Sequence, residues 1–162
     1  MNTRSPLQLS ASFKRYYDQL RDPSFASATT PLHVAVLNND YNRVHRLINE
    51  GVDPNITDQT GCGALNHAAL LGSVKICELL LASGANINGA AHDGSTPLHK
   101  AAQGGRTNIV QLVLCEGADP YALNKKGENA YTIASHRNHV QVAMLLYPYA
   151  APQGEKHVEQ RS

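Results

Sequence analysis

The sequence predicts an all-α solenoid of about four helical repeats, and three observations carry that prediction. The first is a motif that returns in register. Thr30-Pro31-Leu32-His33-Val34-Ala35 is followed 66 positions on by Thr96-Pro97-Leu98-His99-Lys100-Ala101. The second is what lies between and beyond. Gly63-Ala64-Leu65-Asn66-His67-Ala68 sits halfway, and Asn129-Ala130-Tyr131-Thr132-Ile133-Ala134 is one step further, so the period is 33 residues. The third is a second motif in the same phase. Gly51-Val52-Asp53-Pro54-Asn55 recurs as Gly84-Ala85-Asn86-Ile87-Asn88 and as Gly117-Ala118-Asp119-Pro120-Tyr121.

Each element can be justified along the chain. Residues 1–24 read as an N-terminal segment. Within it, residues 10–22 place Phe13, Tyr16, Tyr17 and Leu20 on one helical face. An array needs its ends covered, so this helix is expected to cap the first repeat. Thr30, Gly63, Thr96 and Asn129 are residues that cap helices, and Pro31 and Pro97 fit the first helical position, where no N–H is needed. First helices are expected at 31–38, 64–71, 97–104 and 130–137. Asn39, Gly72, Gly105 and Asn138 follow them, residue types that tolerate a left-handed turn. Second helices are expected at 41–49, 74–82, 107–115 and 140–147. Gly51, Gly84 and Gly117 end three of them, and Pro148 stops the fourth. The repeats divide as 25–57, 58–90, 91–123 and 124–149. Tyr147, Tyr149 and a more polar fourth repeat read as the C-terminal cap. Residues 150–162 show no apolar periodicity and are expected to be a flexible tail.

These motifs resemble the ankyrin repeat family over roughly residues 25–149. The T-P-L-H-x-A signature is intact twice and degraded twice. The resemblance implies paired antiparallel helices joined by hairpin-like fingers and stacked into a curved solenoid. It also implies that His33 and His99 hydrogen-bond backbone and tie neighbouring fingers together.

Composition narrows the function. The chain has 162 residues, 42% hydrophobic, with 14 Lys+Arg against 13 Asp+Glu and a net charge of +1. That is too apolar for a disordered polyampholyte. It is too neutral for whole-molecule attraction to nucleic acid or an anionic membrane, and no apolar run approaches a membrane span. Cys62, Cys77 and Cys115 are widely spaced, with no CxxC. A disulfide framework is not expected, and a reducing compartment fits. The first residues carry no apolar signal stretch, and Asn2 stands where myristoylation needs glycine. A soluble, cytoplasmic protein is expected.

The residues offer little chemistry. His136, His139 and Cys115 lack the tight spacing of a zinc site. Cys62, in a finger, is expected to be a solvent-accessible thiol. With His67 it forms no evident nucleophilic pair, since no third group orients the imidazole. Cys77 reads as core. Gly61-Cys62-Gly63 lacks the third glycine of a dinucleotide motif, and no P-loop, nucleophile elbow or HExxH occurs. No enzyme, metal or cofactor is expected.

The family resemblance places binding on the finger tips and the outward positions of the first helices. By phase, the candidate protein-binding residues are Leu37, His67, Leu70 and Leu71 in the first half. In the second half they are His92, Lys100, Gln103, Lys125, Lys126, His136 and Arg137. The surface then reads as apolar near repeats one and two and basic near repeats three and four. That pattern suits a partner protein with an apolar anchor and an acidic flank. The expected function is a monomeric protein–protein interaction module, an adaptor or inhibitor. Alternative readings are an effector of an intracellular bacterium delivered to a host cell, and a substrate-recruiting subunit of a larger complex.

Overall fold

A computed structural model describes residues 30–150. The expected capping helix over 10–22 and the tail from 151 lie outside the described residues. Among the described residues eight α-helices follow one another in four pairs: α1 Pro31–Leu37 with α2 Tyr41–Asn49, α3 Ala64–Leu71 with α4 Val74–Ala82, α5 Pro97–Gln103 with α6 Thr107–Cys115, and α7 Ala130–His136 with α8 Val140–Leu146. A short 3-10 turn, Tyr147–Tyr149, closes the series at Pro148. No strand occurs among the described residues. An isolated bridge joins Thr57 and Gly63. No helix among these residues is long and apolar enough to cross a membrane.

The caps explain the boundaries. Thr30 stays extended while its hydroxyl accepts the His33 amide at 3.4 Å, and Asn129 Oδ1 accepts the Thr132 amide at 2.9 Å. Gly63 leaves α3 without a side-chain cap. The turns inside the pairs are left-handed at Asn39 and Asn138, with φ of 53° and 58°.

Packing follows the period. First helices α1, α3, α5 and α7 stack side by side, and each packs on its own second helix. Leu32, Leu65 and Leu98 form one buried column, and Val44, Cys77 and Val110 another. Leu80 lies fully buried in α4. One pair alone cannot cover these side chains, so the stack is what makes each repeat stable.

Fingers link the pairs. Each is closed by a backbone bond: Asp58 N to Cys62 O at 2.9 Å, Ala91 N to Ser95 O at 3.0 Å, and Asn124 N to Glu128 O at 3.0 Å. Gly61 carries the left-handed turn at φ 74°, and a Cβ there would lie 2.8 Å from the His92 backbone nitrogen. Only glycine meets both demands.

Candidate functional site

The finger tips form a continuous hydrogen-bonded row. The His92 amide donates to Thr60 O at 2.9 Å, and the Lys125 amide donates to Asp93 O at 2.9 Å. Each tip is also braced from within. Asp58 Oδ1 accepts the Thr60 amide, Asp93 Oδ1 the Ser95 amide, and Asn124 Oδ1 the Lys126 amide, all at 2.8–2.9 Å. These side-chain acceptors fix the turns locally. The exposed side chains of His92, Lys125 and Lys126 therefore stand on a rigid edge.

Beside that edge run the first helices of repeats three and four. Lys100 and Gln103 are half-buried on α5, and His136 and Arg137 are exposed at the end of α7. Lys100 Nζ lies 3.5 Å from Asp93 Oδ2, and His136 Nδ1 lies 3.6 Å from Glu128 Oε1. Burial works against the Asp93 carboxylate, yet the Ser95 backbone bond and the Lys100 charge outweigh it and hold its pKa below the ordinary value. Lys100 thus shares its charge with a finger acid and His136 stands beside another, while Lys125, Lys126 and Arg137 form no ion pair with a described residue.

The first two repeats differ from expectation. Leu70 and Leu71 are each 6% exposed, and His67 is 2% exposed. They are not part of an open patch. All eight residues of α3 are buried, because this uncapped, strongly apolar helix is packed against α1, α5 and α4. Arg106 also reaches back from the third repeat, its Nε donating to Leu70 O at 3.1 Å. Leu37 is half-buried. The apolar anchor read from the sequence is therefore mostly interior.

His67 belongs instead to a buried polar cluster. Its Nε2 lies 2.8 Å from Asp58 Oδ2. Asp58 Oδ1 accepts from the Thr60 amide at 2.8 Å, the Thr60 hydroxyl at 2.6 Å and the Cys62 amide at 3.1 Å. Burial alone would raise the Asp58 pKa, but the bonds from His67 and Thr60 win and hold it far below the usual carboxylate range. His33 stands edge-on to His67, ring centres 5.6 Å apart. The ligand-type atoms of His33, Asp58 and His67 all lie within 4.8 Å of one another. Each of these three residues hydrogen-bonds to protein. His33 Nε2–H donates to Cys62 O at 3.0 Å, and its Nδ1 accepts the Thr30 hydroxyl at 2.7 Å. A metal ion would have to break the bond that ties the first repeat to the second finger, so the geometry is that of a structural lock.

Cys62 is buried, contrary to the accessible thiol expected, and burial pushes its pKa up. Asp58 does supply the orienting group for His67 that the sequence did not reveal. It occupies the imidazole Nε2, however, and a buried thiol with a raised pKa is a poor nucleophile. Cys77 is buried as expected, its thiol pushed up to about 12 by burial.

His33 and His99 perform the tie that their motif implies. His99 Nε2–H donates to Glu128 O at 3.0 Å while its Nδ1 accepts the Thr96 amide at 3.1 Å, so one neutral tautomer serves both bonds. In each case the imidazole reaches 29 residues ahead to the next finger. With that link in place the comparison with known sequences is decisive: a family model of ankyrin repeats, in three copies, matches residues 32–123.

The chain belongs to the ankyrin repeat family.

Ankyrin repeats generally mediate protein–protein interaction, and the family is typically non-catalytic. Among related proteins, the inactive serine/threonine-protein kinase TEX14 of Bos taurus is 36% identical over 108 residues, 67% of this chain and 7% of that protein. The tyrosine-protein kinase Shark of Drosophila melanogaster is 32% identical over 124 residues, 76% of this chain and 13% of that protein. Ankyrin repeat domain-containing protein 39 of Homo sapiens is 40% identical over 58 residues, 36% of this chain and 32% of that protein. This chain thus spans under a third of each relative's length. The likeness to the two kinases covers the repeats of this chain and carries no kinase activity to it.

Proposed function

We propose that this ankyrin-repeat chain is an adaptor or inhibitor that binds an acidic segment of a partner protein along its third and fourth repeats. The observation that carries the reading is the hydrogen-bonded row of finger tips. It presents His92, Lys125 and Lys126 on fixed backbone, with Lys100, His136 and Arg137 alongside. A rigid surface loses little conformational freedom on binding, so more of the contact energy appears as affinity. Basic side chains of one sign along such an edge steer and select an acidic partner. The buried leucines take no part. The free cysteines suit a reducing, cytoplasmic setting.

The experiment is a crosslinked pull-down from cell lysate followed by mass spectrometry, with wild type beside Lys125→Glu/Lys126→Glu. Both lysines are exposed, so the variant should keep its helical circular dichroism and lose the partner. Capture of the same partner in the same amount by the charge-reversed variant would defeat the proposal.

A further inference from the structure

The fourth repeat ends in a face built like an inter-repeat interface but left uncovered by the described residues. In the first three repeats the column Leu32, Leu65, Leu98 is buried, and so is Val36, Ala69, Ala102. The counterparts one period later, Tyr131 and Ser135, are half-buried and exposed. Val44, Cys77 and Val110 are fully buried, whereas their counterpart Ala143 is only partly covered. The next repeat covers the earlier members of each column, and the last member has no repeat after it among the described residues.

The apolar character of this face increases where polarity would cost nothing. Val140, Met144 and Tyr147 are 65%, 73% and 69% exposed, and their spacing of four and three places them on one side of α8 and its terminal turn. Met144 occupies the column of Glu78 and Gln111, both exposed and polar. The change to an apolar residue thus falls in the repeat whose end is open. The Tyr131 and Tyr147 rings meet edge to face at 6.1 Å beside a shallow groove of about 330 Å³.

We propose that a second copy of this chain covers this face, in a tail-to-tail dimer related by a two-fold axis. Three observations select that occupant. The face continues the solenoid's own stacking interface, so it has the apolar chemistry of a surface that buries against helices. Among the described residues no Lys, Arg, Asp or Glu lines the groove, so a two-fold axis opposes no like charges there. Its one titratable side chain besides the tyrosines, His139, has Nε2 bonded to Gln103 O at 3.1 Å. Finally, the same face offers both a projecting Met144 and an adjoining groove, which is what an isologous contact requires of each partner. Met and Tyr are also residue types enriched at the centres of such contacts. The proposed dimer differs from the monomer expected from the sequence, and the basic edge of repeats three and four stays outside the contact proposed.

Sedimentation velocity of the full chain, from low-micromolar to sub-millimolar concentration, tests the proposal. Wild type should pass from monomer to a plateau at twice the monomer mass. Met144→Glu should shift that transition at least tenfold in concentration, and Met144→Gln, the residue of the preceding repeat, should shift it in the same direction. Unchanged circular dichroism would show that both variants remain folded. A monomer throughout overturns the proposal. So does growth past the dimer without a plateau, which means head-to-tail stacking. A dimer lost on Phe13→Glu/Leu20→Glu but kept on Met144→Glu also overturns it, because the occupant is then the N-terminal segment. Partner capture through Lys125 and Lys126 should be the same for Met144→Glu as for wild type, so this test and that of the proposed function fail separately.

Discussion

Asp58 Oδ2 and His67 Nε2 lie 2.8 Å apart inside the second repeat, with both residues buried. One comes from a finger and the other from the helix that follows it. The neighbouring repeats place Ala91 and Asn124 in the first column and Val34, Lys100 and Ile133 in the second. The second repeat alone carries an acid and an imidazole at these two positions, and they meet.

Breaking that pair from one side should be expensive. Asp58→Ala leaves a buried imidazole without its acceptor and the Thr60 and Cys62 amides without theirs. A loss of about 1–3 kcal/mol for each stranded donor is expected, the cost of leaving a buried polar group unsatisfied. Asp58→Ala/His67→Val copies residues found in the other repeats and should recover part of the loss. Urea denaturation of the two single variants and the double variant measures the coupling.

Acid should weaken the fold in two stages. The pKa values of His33 and His99 are lowered, chiefly by burial, so each unfolds to a form that binds a proton more readily. Their contribution is full above the unfolded histidine value, near 6.5, and is lost as pH falls through the folded ones. Asp58 is lowered as well, so its contribution is present above the ordinary carboxylate value and lost only in strong acid. The urea midpoint should therefore decline between pH 7 and pH 5, and less steeply in His99→Gln. A flat midpoint across that window would contradict the neutral role of the two imidazoles, each donating from Nε2 and accepting at Nδ1.

Two glycines with the same backbone sign should respond differently to alanine. Gly61 and Gly117 both have positive φ, but a Cβ at Gly61 meets the His92 backbone and ring whereas one at Gly117 meets nothing within 4 Å. Gly117→Ala should cost about 1 kcal/mol, from the left-handed backbone alone. Gly61→Ala should cost more and should speed hydrogen exchange at the His92 amide, whose bond to Thr60 O it disturbs.

Leu80 is fully buried in α4. Leu80→Ala should cost about 2–5 kcal/mol, the range for a buried leucine truncation. In a domain stabilised by about 5–15 kcal/mol, thermal denaturation should show a large drop in the transition temperature.

The helices were legible because their punctuation is local. Thr30 acts through a hydroxyl that reaches three residues on, and Pro31, Asn39 and Gly51 act through their own backbone; such residues recur in phase. The first-helix surface was less legible. Reading Leu70 and Leu71 as outward assumed that every repeat exposes the same columns, but every residue of α3 is buried, Asn66 and His67 included. The Asp58–His67 pair was missed because its members are nine residues apart on different elements. The available signal was that both depart from their columns in the same repeat. Cys62 was judged by its place in a finger, yet the finger-closing bond from Asp58 N to Cys62 O turns that residue inward. The fourth repeat reads as a C-terminal cap from Tyr147, Tyr149 and its more polar sequence; the exposure of Val140 and Met144 beside Tyr147 was not legible there.

The three boundaries between repeats are not fastened alike. His33 crosses the first and His99 the third, but the second is crossed by the Asn66 amide, which donates to Ser95 O at 3.1 Å. An amide has no proton to gain in mild acid. Lowering the pH should therefore loosen the two outer joints before the central one, so that the array comes apart from both ends toward a surviving pair of middle repeats.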